Sequence, residues 1–138
     1  MTGYYLLNKK VSIERCITQI KHYYADANKD DFARDYLHQD AISINLQRCC
    51  ELCIDLANMV IRSEKLGLPK SSRESFELLY QAGHISKDTY LKLAGMVGFR
   101  NVLIHEYINL DIAILVDVIE NQLQTPLKFA QIILELEK

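Results

Sequence analysis

The sequence predicts an all-α bundle of four or five helices, and three observations carry that prediction. Apolar residues recur three and four positions apart through every long segment. Gly and Pro number only 5 and 2 in 138 residues, which leaves little of the chain for loops. No stretch shows the alternation of a half-buried strand, and no internal repeat is present.

The elements follow in order. From Val11 to Ala27 the apolar residues Ile13, Cys16, Ile17, Ile20, Tyr23, Tyr24 and Ala27 mark one helix face, and Asn28-Lys29-Asp30-Asp31 is a polar break. A longer helix starts near Asp35 or Asp40 and runs to about Lys65, with Ile42, Leu46, Cys49, Cys50, Cys53, Ile54, Ala57, Val60 and Ile61 as its stripe. Gly67 and Pro69 stop it. Ser71 with Glu74 three residues later is a capping-box signature for a short helix through Phe76, Leu79 and Tyr80, ending at Gly83. Ser86 caps the next helix, which contains Tyr90, Leu91, Ala94 and Val97. Asn109 and Asp111 are cap candidates for the last one, and Pro126 kinks or splits it before a closing segment from Leu127 to Leu136.

The length suits one domain, spanning residues 1–138, with a real core. Hydrophobic residues at 49% and charged residues at 25% describe a globular chain rather than a disordered one. No apolar run approaches the roughly eighteen residues of a membrane span, and the N-terminus shows no signal-peptide pattern. Three of the four cysteines cluster (Cys49, Cys50, Cys53), unlike a disulfide framework, so the expected location is a reducing cytoplasm. The formal charge of −2 excludes a protein that coats nucleic acid through global charge. Any action on RNA requires a local basic patch, or one assembled by two chains. The densest cationic stretch, Arg62, Lys65, Lys70 and Arg73, is either that patch or a solvated loop.

The segment Gly98-Phe99-Arg100-Asn101-Val102-Leu103-Ile104-His105-Glu106-Tyr107 concentrates the chemistry. Arg is a permanent cation that forks onto phosphate. His exchanges protons near neutral pH, and Tyr offers a hydroxyl that donates, accepts or is modified. A buried helix gains nothing from all three, since each polar group must be satisfied or stay wet. They read together as a phosphodiester-handling site without a metal or cofactor. Asn101 and His105 are four apart and share a helix face, while Arg100 is offset from Asn101 by about 100° and swings towards that line. The helix is expected to loosen at His105, given the caps that follow. Gly95 and Gly98 are expected to permit close helix approach or a kink.

Arg100, four residues, His105, one residue, Tyr107 is a full match to the mark of the HEPN family, and the chain resembles the HepT-like toxins of HEPN/MNT toxin–antitoxin pairs. The likeness extends to Asn45–Asn58 as the family's second helix and to Leu68–Phe76 as the connection after it, and covers about Ser12 to Glu135. The resemblance implies a HEPN-type bundle and a metal-independent endoribonuclease of a type II or type VII-like toxin–antitoxin system. It implies a homodimer with two motifs facing one cleft, and silencing by a cognate MNT-type nucleotidyltransferase antitoxin that AMPylates Tyr107. His105 then serves as base or acid, Arg100 as phosphate clamp and Asn101 as a hydrogen-bonding partner for either. The alternative is a non-catalytic nucleotide- or partner-binding module paired with a nucleotidyltransferase. An intact Arg–His pair favours catalysis, because a docking module needs no proton carrier.

Other polar features have plainer readings beside the sharp ones. Arg48, Glu51, Asp55 and Asn58 form a stripe on the second helix. It is either a solvated face or a support in which Glu51 or Asp55 orients Arg100 or His105. Cys50-Glu51-Leu52-Cys53 lacks the second pair of a zinc site and reads as core thiols. His22, His38 and His84 have no partners at ligand spacing and read as ordinary surface residues.

Overall fold

The computed structural model describes residues 3–106 and 109–137. Six α-helices follow one another: α1 (Gly3–Asp26), α2 (Tyr36–Glu64), α3 (Ser72–Gln81), α4 (Lys87–His105), α5 (Ile112–Asn121) and α6 (Gln124–Glu135), with a 3₁₀ turn (Lys29–Arg34) between α1 and α2. Among the described residues there is no strand. Helices α1 and α2 pack along each other as the spine. The third lies against α2 and α4, and α6 closes the bundle on α1, α2 and α4. Buried side chains from all six merge into one core, including Ile13, Ile20, Ile42, Leu56, Leu79, Leu93, Leu115 and Ile133. Phe76 meets Phe129 edge-on within it, ring centroids 5.5 Å apart.

Local chemistry sets most boundaries. Asp35, Ser71, Ser86 and Asp111 each cap a helix by accepting a backbone N–H from the first turn. The first helix begins well before Val11: Leu6 is fully buried, and Lys10 donates to Gln131 of α6 at 2.8 Å, tying down its first turns. The polar break after Ala27 is itself helical, capped by Asn28, and inserts Phe32 into the core. Lys65 rather than Gly67 takes the left-handed position ending α2, with φ 56°. The last helix divides at Gln122–Leu123, upstream of Pro126. Pro126 lies in the first turn of α6, where its missing N–H leaves no helical bond unmade.

Two expectations about histidine are corrected. His38 is largely covered, its Nδ1 2.8 Å from Asp35 and its Nε2 3.0 Å from Asp26. His84 lies 2.7 Å from Glu64, joining the chain after α3 to the end of α2. Asp26 and Glu64 lie 12 and 20 residues from their histidines, so spacing does not reveal them, whereas Asp35 is only three residues before His38, as the cap of α2. The cysteines are free and buried, as their place on the apolar stripes predicts. No helix among the described residues is long and apolar enough to cross a membrane.

Candidate active site

The fourth helix forms because Ser86 caps it, its Oγ accepting from the Thr89 N–H at 3.1 Å, and Leu93, Val97 and Leu103 anchor it to the core. Arg100 lies on the margin of that buried stripe. Its side chain is only 16% exposed and its Nη1 donates to the Glu51 carboxylate of α2. Nη2 donates to Asn101 Oδ1 at 3.0 Å. The buried Nε has no hydrogen-bond acceptor among the described residues. The guanidinium is therefore aimed, but its hydrogen-bonding capacity is not saturated.

His105 is the last residue of α4, where the Glu106 N–H closes the helix on Val102 at 2.9 Å. Its side chain is exposed, and the ring has no partner among the described residues. One turn earlier on the same face, Asn101 is exposed too. A cation fixed at the edge of the core thus precedes an exposed imidazole at a helix end. Tyr107, expected to complete the motif, lies outside the described residues.

The stripe on α2 divides among several partners. Glu51 reaches the motif. Asp55, the other expected support, does not: Lys9 of α1 holds it at 3.2 Å. One further turn along, Asn58 accepts from Ser75 Oγ at 2.8 Å. Position along α2 explains the division, since residues a turn apart meet different neighbours where α4 crosses. Gly95 and Gly98 also depart from expectation. A Cβ at either would meet nothing within 4 Å, and α4 runs through both without a break.

Sequence reasoning missed the surroundings of Arg100. A pocket of about 310 Å³ opens beside it, lined by Ser71, Ser72, Arg73, Gly98 and Asn101 among others. The only sequence signals were the capping serine and the cationic stretch ending in Arg73. On its other side Arg100 borders an apolar crevice with Met96, Phe99 and Leu103. Among the described residues no group of three or more His, Cys, Asp or Glu is arranged to hold a metal ion.

Fold and site together define a HEPN-type helical bundle with its Arg–His motif at the end of the fourth helix. The family model for Ribonuclease HepT-like proteins matches residues 13–133, and the chain belongs to that family. It is 41% identical over 128 residues to the mRNA nuclease HepT of Shewanella oneidensis, which spans 93% of this chain and 95% of that protein. A solved structure of a tri-AMPylated Shewanella oneidensis HEPN toxin in complex with MNT antitoxin is similar at TM-score 0.87 and 41% identity, over 93% of this chain and 95% of that one. A toxin–antitoxin structure with AMP-PNP gives TM-score 0.87 at 40% identity, over 93% and 96% of the two chains. The Bacillus subtilis cytosolic protein YutE, at 18% identity and TM-score 0.69 over 90% of this chain and 87% of its own, shares the fold.

Proposed function

We propose that this chain is the endoribonuclease of a toxin–antitoxin pair and that it cuts RNA without a metal at Arg100 and His105. The observation that carries the reading is the Arg100 guanidinium, fixed by Glu51 and Asn101 five residues before an exposed imidazole. In the reaction the substrate's 2′-oxygen forms a bond to phosphorus while the bond to the 5′-oxygen breaks. The 2′-hydroxyl proton passes to a base and the leaving oxygen takes one from an acid. His105 provides one of these functions, and Arg100 neutralises the crowded phosphate. A homodimer that brings two motifs together supplies the second imidazole and doubles the local cations.

Control by a cognate MNT-type nucleotidyltransferase that AMPylates Tyr107 completes the proposal. The relatives support it, since one is an mRNA nuclease and another a tri-AMPylated toxin in complex with MNT antitoxin. Four free, buried thiols suit a reducing cytoplasm.

The test is cleavage of total RNA by purified protein in excess chelator, beside Arg100→Ala and His105→Ala. Wild-type cleavage persists, and each substitution lowers it by on the order of 10²- to 10³-fold. Cleavage abolished by the chelator, or retained in both folded variants, overturns the reading. Inactive wild-type protein that still binds the nucleotidyltransferase establishes the docking-module alternative.

A further inference from the structure

The pocket beside Arg100 is not accounted for by the chemistry at the scissile phosphate. It lies between the start of α3 and the middle of α4, has a volume of about 310 Å³, and has two arginines, Arg73 and Arg100, and no acidic residue among those that line it. Glu51 already pairs with Arg100, so Arg73 supplies the pocket's unpaired positive charge in a chain of net charge −2. No carboxylate forms an ion pair with Arg73 among the described residues. Its Nε donates to Tyr90 Oη at 3.4 Å, and the nearby Glu77 favours its charge without bonding to it. The Ser72 hydroxyl, also on the pocket wall, has no partner among the described residues. Gly98 forms part of the floor, and its missing side chain leaves the space open.

Tyr90 extends the feature. Its ring stacks on Tyr80 with centroids 5.5 Å apart and planes 6° from parallel, and Tyr80 is 37% exposed. Arg73 thus links the pocket, which Ser72 also lines, to the aromatic pair through its bond to Tyr90. Phosphate groups take guanidinium and hydroxyl donors, and unpaired bases take flat aromatic faces.

We infer that this pocket is a second nucleotide subsite, in which Arg73 and Ser72 bind the phosphodiester flanking the scissile one and the Tyr80–Tyr90 stack receives its base. The ligand is single-stranded RNA, because a base paired in a duplex cannot turn onto an aromatic face. The inference rests on the ribonuclease reading and deepens it.

The test uses His105→Ala protein, which binds RNA without cutting it, and fluorescence anisotropy of a labelled single-stranded oligoribonucleotide across a salt series. Adding Arg73→Gln weakens binding about tenfold and makes the dependence of log K on log salt shallower by about 0.7, the release expected for one phosphate on a single strand. Tyr80→Ala also weakens binding, with the salt slope retained. In the cleaving protein Arg73→Gln raises KM more than it lowers kcat, and Gly98→Leu does the same while the thermal midpoint holds or rises, as leucine favours a helix over glycine. Arg62→Gln, an exposed cation near the end of α2 that does not line this pocket, leaves affinity unchanged. An Arg73→Gln protein with wild-type affinity and slope overturns the inference, as does one that loses only nucleotidyltransferase binding. Failure of the wild-type protein to cleave any RNA instead rejects the ribonuclease reading itself.

Discussion

Glu51 on α2 grips the guanidinium of Arg100 on α4 across 49 residues of sequence, and so joins the motif to the spine of the bundle. The contact holds Arg100 at the core margin. An arginine left to solvent would sample many rotamers and meet a phosphate only after being ordered.

Glu51→Gln keeps an acceptor but removes the charge that makes the bond strong. Glu51 is 52% exposed, so the pair adds under about 1 kcal/mol to stability and the thermal midpoint barely moves. The loss falls on cleavage: kcat/KM drops about tenfold as Arg100 loses its aim, equivalent to about 1.4 kcal/mol. Asp55→Asn breaks only the exposed bridge to Lys9 and leaves cleavage at the wild-type rate. Equal kinetic losses in the two variants, with folding intact, count against Glu51 as the positioning residue.

The contrast between Glu51 and Asp55 marks how far the sequence is legible. Helix starts can be read directly because a cap is a local event: Ser71, Ser86 and Asp111 act on N–H groups two or three residues away. The motif helix and its end at His105 are legible for the same reason. Glu51 and Asp55, one turn apart on one face, are equivalent until the crossing of α2 and α4 chooses between them. His84 stays hidden because Glu64 comes from the end of α2, and His38 is hidden only in part, since Asp26 ends α1 but Asp35 caps the helix that carries His38, three residues before it. The pocket with Arg73 is hidden for a third reason, since it arises where the start of α3 meets α4, and neither segment alone encodes a cavity.

His38 makes stability pH-dependent. The hydrogen bonds to Asp35 and then Asp26 raise its pKa. The folded chain thus binds this proton more tightly than the unfolded one. The stabilisation is complete below the ordinary His value of about 6.5 and is lost as pH rises through the folded value. Asp35, lowered by the Asn28 N–H first and then by His38, contributes above the ordinary carboxylate range and loses its effect as pH falls. The difference in thermal midpoint between wild type and His38→Ala is therefore largest at about pH 5.5–6 and shrinks by about pH 8.5. A gap that stays level or widens over that range shows that the ring is not held as a cation.

The thiols are predicted to be inert. Burial pushes Cys50 up to about 12. Cys53 is driven well above its ordinary value by its hydrogen bond with Cys49 and by burial, and burial raises Cys16. Alkylation needs the thiolate. Iodoacetamide at about pH 8 should modify native protein at least about a hundredfold more slowly than urea-unfolded protein. Rapid native labelling of Cys50 or Cys53, or stoichiometric zinc on the purified chain, would refute the assignment of Cys50-Glu51-Leu52-Cys53 to the core.

Control is expected to fall on the connection between α4 and α5. His105 ends one helix, the Asn109 N–H bonds the Glu106 carbonyl at 2.9 Å, and Asp111 caps the next helix, so Tyr107 belongs by sequence to the short stretch between them. A phenol two residues from His105 is placed in sequence where a single modification can act on the site. Each AMP transferred to its oxygen adds a negative phosphodiester and a bulky base. That phosphate can pair with Arg100 in place of substrate and repel incoming RNA. Mass spectrometry after co-expression with the nucleotidyltransferase and ATP should find adenylate on Tyr107, with RNA cleavage lost in proportion. Tyr107→Phe should stay cleavage-competent and escape silencing. If fully inhibited protein carries an unmodified Tyr107, or if the partner silences Tyr107→Phe as well as wild type, inhibition proceeds by stoichiometric binding over the cleft.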